Sequence, residues 1–485
     1  MIPTDWSRWI VQYVLQRLLR IAIFIYFGEI EVVTAENVPS DGPVILCANH
    51  GNVGADVFLV SAMCQPNGRI VISWAKSTLF STPMANAFFR LVGAVPVRRS
   101  QDLKPGEVAN NDELYAATYA ELDHGNVVLL FPEGKSYHDS KLQDLKKGVA
   151  WLVHGYHKKT GKRVPVVPVA INYFKKDKFR SGVLLEFGTP MSLCDADDVA
   201  AVPAGTPKDH VDHEIVTAAT HRLQAAMHAM IMNDAKDFEE LALIQMCRSI
   251  YASGFRLDLL QVVKLQRRFI DFYNAHRDQA EMQAMVARVA KFKENVDSLG
   301  LKEYHFDDRF TVQEILRLVI VRTCKFAVML PLAMPGALIA APLYGITKYL
   351  HTHTKYVEER SQVKLVVIFL TIPSLFALAL LAAAWLFGST GFATTLVLVP
   401  LFGWAHVTLL EMGVQSVKQT FRLSRLLWHL LLSSKHISAL KQERAEIKAA
   451  IHARAAQIFQ PNDRIINDDV RVAPVDETTP EDRYL

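Results

Sequence analysis

His50 and Asp56, in the stretch ILCANHGNVGADVFLV, are residues whose types and spacing could do chemistry. Histidine is suited to general-base work near neutral pH, and a carboxylate bonded to its other ring nitrogen fixes the tautomer and stabilises the imidazolium once a proton is taken. On one regular helix a step of six residues turns by about 600°, which points the two side chains apart. An irregular turn must therefore bring them together. Gly51 and Gly54 permit one, between an apolar run ending at His50 and a second opening at Asp56. A helix-capping aspartate beside a solvated histidine explains the same residues, so this segment alone decides nothing.

Two further segments carry candidate groups. GAVPVRRSQ ends an apolar run in Arg98 and Arg99, and a guanidinium at a strand end can hold a phosphate bidentately; a solvated surface pair is the plain alternative. VVLLFPEGKSYHDSKLQDLKKGVAWL runs from a buried-looking strand into Glu133 and Gly134, then reaches Lys146, Lys147 and Gly148 at a helix start. Exposed amides beside lysines make a phosphate cradle there, against an ordinary turn and helix start. A nucleophilic route has less support: there is no GxSxG elbow, and Ser136 has only His138 as a neighbouring base. His50, Asp56, His138 and Asp139 match no zinc spacing, so no metal is expected. His406 lies in an apolar block, where a histidine bonded within a helical bundle is the simpler role, and His351 and His353 read as juxtamembrane polar residues.

The elements that must position these groups alternate. EIEVV, PVILCAN, IVISWA, GAVPVRR, NVVLLFPEG, PVVPVAINY and VLLEFG read as strands, rich in Val and Ile and bounded by Gly, Pro or Asn. Residues 56–63, 83–91, 112–122 and 147–156 have helical spacing between them. The pattern predicts an α/β domain with a mixed, mostly buried sheet flanked by helices over residues 29–194. The acidic stretch 195–212, broken by Pro203 and Pro207, reads as a linker, and 213–325 as a charged helical accessory region.

Composition locates the rest. The 485 residues allow two or three units, and a net charge of +4 excludes a nucleic-acid surface spread over the whole chain. Five cysteines without a CxxC pair argue against a zinc ribbon or disulfide framework and fit a reducing, cytosol-facing setting. Residues 1–28 are apolar but carry Arg8, Arg17 and Arg20, which predicts a helix lying in a membrane surface with its arginines snorkelling. A signal peptide is disfavoured because no small-residue cleavage site follows. Between 326 and 410 lie three apolar blocks. Residues 365–387 and 392–410, joined by GSTG, predict a transmembrane hairpin; 326–346, interrupted by Pro331, Pro335 and Pro342, reads as re-entrant or interfacial. Basic flanks everywhere except GSTG favour that arrangement. Residues 411–485 read as a charged helix and a polar tail.

Taken together and in order, NHGNVGAD, GAVPVRR, FPEGKS and VPVVPVAINYF resemble the four blocks of the glycerolipid acyltransferase family. The narrower resemblance, carried by AINYFKKDKFRSGVLLEFGTP, LKKGVAW and the later membrane segments, is to membrane-bound fungal-type glycerol-3-phosphate and dihydroxyacetone-phosphate acyltransferases. It implies His50 as catalytic base and Asp56 as its partner, Arg99 on the acceptor phosphate, and Glu133 and Gly134 shaping the acceptor pocket. Lys76 and Lys147 fall on basic positions of the family, and the block around Pro168 would line a pocket. The chain departs from the commonest His-x4-Asp spacing by one extra residue, a departure shared with the fungal-type branch. Lys135 stands where many relatives have a small or hydroxyl residue.

The expected activity is acyl transfer from acyl-CoA, a co-substrate, to the primary hydroxyl of glycerol-3-phosphate or dihydroxyacetone phosphate. No other cofactor is expected. A bilayer, but no nucleic acid, is the expected partner, at the endoplasmic reticulum with the catalytic domain facing the cytosol. A lysophospholipid acceptor uses the same chemistry and stands as the alternative; a non-catalytic lipid-binding scaffold is the other.

Overall fold

The computed structural model describes residues 5–64, 70–98, 111–176, 178–255, 257–307, 310–354 and 359–458. The chain opens with α1 (Asp5–Tyr26) and β1 (Glu29–Val33), followed by β2 (Val44–Ala48), α2 (Gly54–Met63), β3 (Val71–Lys76), α3 (Pro83–Leu91) and β4 (Ala94–Val97). It continues through α4 (Asp112–Asp123), β5 (Val127–Leu130), α5 (Gly148–Thr160), β6 (Val166–Tyr173) and β7 (Gly182–Phe187). All seven stretches read as strands are strands.

They form one mixed sheet in the order β1-β7-β6-β2-β5-β3-β4. Strands β6, β2, β5, β3 and β4 are parallel, while β7 runs antiparallel to β6 and carries β1 with it. β2 is central and wholly buried because both faces are covered. Ile45 and Cys47 point into a core shared with α5, whereas Val44, Leu46 and Ala48 point into a core shared with α1 and α2. Period-two alternation between two apolar layers is why VILCA reads as a continuous apolar run.

Helices α6 (Ala196–Ala200), α7 (Val211–His228), α8 (Phe238–Tyr251), α9 (Leu259–His276) and α10 (Ala280–Ser298) follow. The acidic stretch before α7 is not a free tether: Arg222 bonds Asp195, Asp197 and Asp198, and the Cys194 amide donates to Asp198. Next come α11 (Val312–His353), α12 (Arg360–Leu432), α13 (Ser434–Ala453) and the short α14 (Ala455–Ile458).

α11 bends by 73° between Leu338 and Ala340. Pro342 cannot donate to the carbonyl of Leu338, four residues back, so the bend falls where the helical ladder loses a bond. α12 contains a break at Gly388, with φ 66° and ψ −151°, at the first residue of GSTG. Both flanks of this break return to the α/β domain. Ser361 bonds Tyr26, while Glu411 bonds Arg180, whose own amide donates to the Tyr26 carbonyl. Residues 360–411 therefore form a helical hairpin with legs of roughly 25 residues, about 37 Å long. It is apolar enough to cross a membrane and carries exposed Leu378, Leu381, Trp385 and Phe387. An exposed apolar surface of that size marks a site for a membrane or another apolar partner.

Candidate active site

The parallel strands end along one edge of the sheet, and their order places the candidate residues side by side. His50 follows β2, the Phe131–Gly134 turn follows β5, Lys76 ends β3, Arg98 follows β4, and Tyr173 ends β6. The carboxyl edge of parallel strands is where loops diverge and leave a crevice.

His50 and Asp56 meet. Nδ1 of His50 lies 2.9 Å from Oδ2 of Asp56, a carboxylate with no exposed surface. The same Oδ2 accepts the Asn52 amide at 2.8 Å, and Oδ1 accepts the Tyr173 hydroxyl at 2.6 Å. Three donors hold this buried carboxylate in place, and a carboxylate at Nδ1 fixes the tautomer that leaves Nε2 able to accept a proton. The His50 ring stacks on Phe131 with centroids 4.2 Å apart and keeps 16% of its side-chain surface exposed. Within the described residues, Nε2 has no protein partner.

The turn between His50 and Asp56 passes through Val53. Its φ is 45° and ψ −122°, a positive-φ conformation that a β-branched side chain resists. The turn is held from the β5 side. Glu133 Oε1 accepts the His50 amide at 2.6 Å, the His50 carbonyl accepts the Tyr137 amide at 3.1 Å, and Ser136 accepts the Val53 amide at 3.3 Å. On the β6 side, the Asn49 amide exchanges two hydrogen bonds with the Ile171 backbone, continuing the ladder one residue past the end of β2. The sequence provides each tie, but only the sheet order makes them neighbours.

Two family profiles match the chain in succession: "Acyltransferase" over residues 29–172, and "Glycerol-3-phosphate acyltransferase 2 C-terminal domain" over residues 243–462. Residues 29–172 are thus an acyltransferase domain, and residues 243–462 match a glycerol-3-phosphate acyltransferase C-terminal domain. Saccharomyces cerevisiae glycerol-3-phosphate O-acyltransferase 2 is 28% identical over 271 residues, which is 54% of this chain and 35% of that protein. Its glycerol-3-phosphate O-acyltransferase 1 is 26% identical over 239 residues, 48% of this chain and 31% of its own length. The chain thus spans about a third of these relatives. A solved structure, the 1-acyl-sn-glycerophosphate acyltransferase of Thermotoga maritima, aligns over 46% of this chain and 83% of its own at 20% identity, with a TM-score of 0.30.

The other candidate residues have different fates. Glu133 is buried and both oxygens serve backbone amides, Oε2 accepting that of Gln143 at 3.2 Å, so its contacts anchor the His50 turn. Burial raises its pKa, and those amides pull it back. Gly134 closes the turn, donating to the Phe131 carbonyl at 3.0 Å with φ 80°, which explains glycine there. Lys76 ends a strand two positions from β2, about 10 Å across the sheet. Lys147 is directed elsewhere: its ammonium bonds Thr217 and His213 on α7. Arg99 lies outside the described residues.

Sequence reasoning gave no role to Tyr173, Asn52 or Lys176. A Cβ added at Gly51 would come within 3.0 Å of the Lys176 Nζ, so that ammonium lies against the His50 turn. Tyr173 stood in a quoted block, but its hydroxyl gave no sign of its target.

Proposed function

We propose that this protein transfers an acyl group from acyl-CoA to the primary hydroxyl of glycerol-3-phosphate or dihydroxyacetone phosphate, giving a lysophosphatidate-type product. The observation that carries the reading is the His50–Asp56 pair at 2.9 Å, with the second imidazole nitrogen unencumbered at the carboxyl edge of the sheet. The names of the two yeast relatives supply the acceptor class.

In the proposed reaction, Nε2 of His50 takes the acceptor hydroxyl proton as that oxygen attacks the thioester carbonyl carbon. The Nδ1–H remains bonded to Asp56, which steadies the imidazolium. Collapse of the tetrahedral adduct forms the ester and breaks the carbon–sulfur bond, and the coenzyme A sulfur leaves with the proton returned from His50. No covalent acyl-enzyme is needed. Cations from Lys76, Arg99 and Lys176 are assigned to the phosphate groups of the two substrates, because anionic substrates at a strand edge need opposite charge.

The hairpin of α12 is assigned to the bilayer and the bent α11 to a re-entrant course. The α/β domain would face the cytosol, at the endoplasmic reticulum. The test is purified protein in detergent with labelled palmitoyl-CoA and a panel of glycerol-3-phosphate, dihydroxyacetone phosphate and lysophosphatidate. Ester formation on the three-carbon phosphates is expected, and acylation of lysophosphatidate alone would overturn the acceptor assignment.

A further inference from the structure

The foot of the C-terminal hairpin reaches the turn that carries His50. Ser361, the second residue of α12, has no exposed surface. Its hydroxyl accepts from Tyr26 at 2.9 Å and donates to the Lys176 carbonyl, which also accepts the Asn52 side-chain amide at 3.0 Å. The next residue, Gln362, presents Oε1 to the Gly54 amide at 3.3 Å. Gly54 opens α2, so this amide is one of the first-turn donors that a helix cannot satisfy internally. A Cβ on Gly54 would come within 3.0 Å of the Gln362 side chain. One turn further on, Leu365 is 1% exposed in the same core as Ala55, Leu59 and the inner face of β2.

These contacts bracket the strained residue. Asn52 and Gly54 flank Val53, and the Asn52 backbone amide is itself a donor to Asp56. A conformation of this type is strained and persists only when its surroundings over-determine it. Glu133, Ser136 and Tyr137 hold the turn from within the acyltransferase match. Ser361 and Gln362 hold its other side, and both lie in the separately matched C-terminal region.

We propose that Ser361 and Gln362 are positioning residues of the catalytic centre, fixing the Asn52–Gly54 turn and through it the His50–Asp56 geometry. This rests on the acyl-transfer reading above. The C-terminal helices are then part of the enzyme's working frame as well as its apolar surface. Cutting these ties lets the turn relax, and a shift near 1 Å in a general base can cost about a hundredfold in rate.

The experiment uses the full chain in detergent. Gln362→Ala and Ser361→Ala, alone and combined, are compared with wild type for kcat, both KM values and hydrogen exchange of the 51–56 amides. The double variant is expected to lose about 10- to 100-fold in kcat with KM values within about threefold, alongside faster exchange confined to that turn. Gln362→Glu, which retains an acceptor oxygen for Gly54, is expected to recover kcat to within about threefold of wild type. Thr394→Ala, an exposed hydroxyl on the other leg, should change nothing. If removing the buried Ser361 hydroxyl unfolds the protein, Gln362→Ala and Gln362→Glu alone carry the test. Folded variants with wild-type kcat overturn the proposal, as does a loss of kcat that Gln362→Glu does not recover. A wild-type protein that acylates no acceptor defeats the acyl-transfer reading instead. Exchange then decides the positional claim, which stands only if the turn loosens in the variants.

Discussion

β2 and the hairpin of α12 are both apolar in sequence and have opposite fates. Every residue of Val44–Ala48 is buried, whereas Leu381, Trp385 and Phe387 expose 67%, 84% and 69% of their surface. Strand β2 finds both its apolar partners within the chain, while the outer faces of α12 find none among the described residues. Hydrophobicity is the same physical quantity in both, and what differs is whether the fold supplies a second surface to bury it against. Polar groups follow suit. At the end of β2, donors to Asp56 and Glu133 are counted out one by one, whereas the hairpin is polar mainly at its feet.

The sharpest way to test the reading of the β2 end is His50→Ala. A loss of at least about a thousandfold in kcat is expected with melting unchanged, since the ring is partly exposed and the base is removed. Activity within tenfold of wild type would remove His50 from the mechanism.

Tyr173→Phe comes next. It strips the only donor to Asp56 Oδ1 among the described residues, leaving a buried carboxylate oxygen unsatisfied at a cost of about 1–3 kcal/mol. About tenfold lower kcat/KM is expected, recovered by no other phenol-free side chain. An unchanged kcat/KM in the folded variant would make Tyr173 merely structural. Burial, reinforced by the Asp56 charge, pushes the Tyr173 phenol well above 10. Its raised folded pKa leaves the contribution complete below pH 10 and loses it as pH rises beyond, a loss that should vanish in Tyr173→Phe.

On the hairpin side, Arg180→Ala breaks the junction between the two regions. Its guanidinium bonds Glu411 at 2.8 Å and the carbonyls of Phe24 and Phe27 at 3.0 Å each, satisfying the end of α1. A loss of about 2–4 kcal/mol is expected in urea unfolding, with easier proteolysis near residue 411. Equal resistance in wild type and variant would show that the hairpin docks without it.

Two smaller effects complete the comparison. Val53→Gly should relieve about 1 kcal/mol of backbone strain yet slow turnover, separating stability from positioning. His305 is buried beneath the accessory helices, and burial, with Arg422 and Arg322 nearby, lowers its pKa to about 3. Its depressed folded pKa makes stability complete above the ordinary value of 6.5 and progressively lost as pH falls toward 3. Melting temperatures at pH 7.5 and 5 should converge in His305→Asn, and an unchanged gap would point to other groups.

Seven strands, their intervening helices and the His50–Asp56 pairing were legible because period-two apolar runs, glycine punctuation and motif order are local signals. Position alone does not reveal the partners of the Lys147 ammonium: in sequence it sits at a helix start beside the FPEG turn, and in the fold it bonds Thr217 and His213 on α7. The roles of Tyr173 and Gln362 could not be read, because their partners lie 117 and 308 residues away.

The sequence by itself determined the α/β alternation, the order of the acyltransferase-like motifs and the residue types of the His50–Asp56 pair. Tertiary structure decided that the turn between His50 and Asp56 passes through a positive-φ valine, that Glu133 and Tyr173 bond the two ends of that turn, and that the foot of a distant hairpin packs against it. The physical reason is that a side chain's chemistry is written in its own residue, whereas hydrogen-bond geometry depends on which strand ends and helix feet packing brings together.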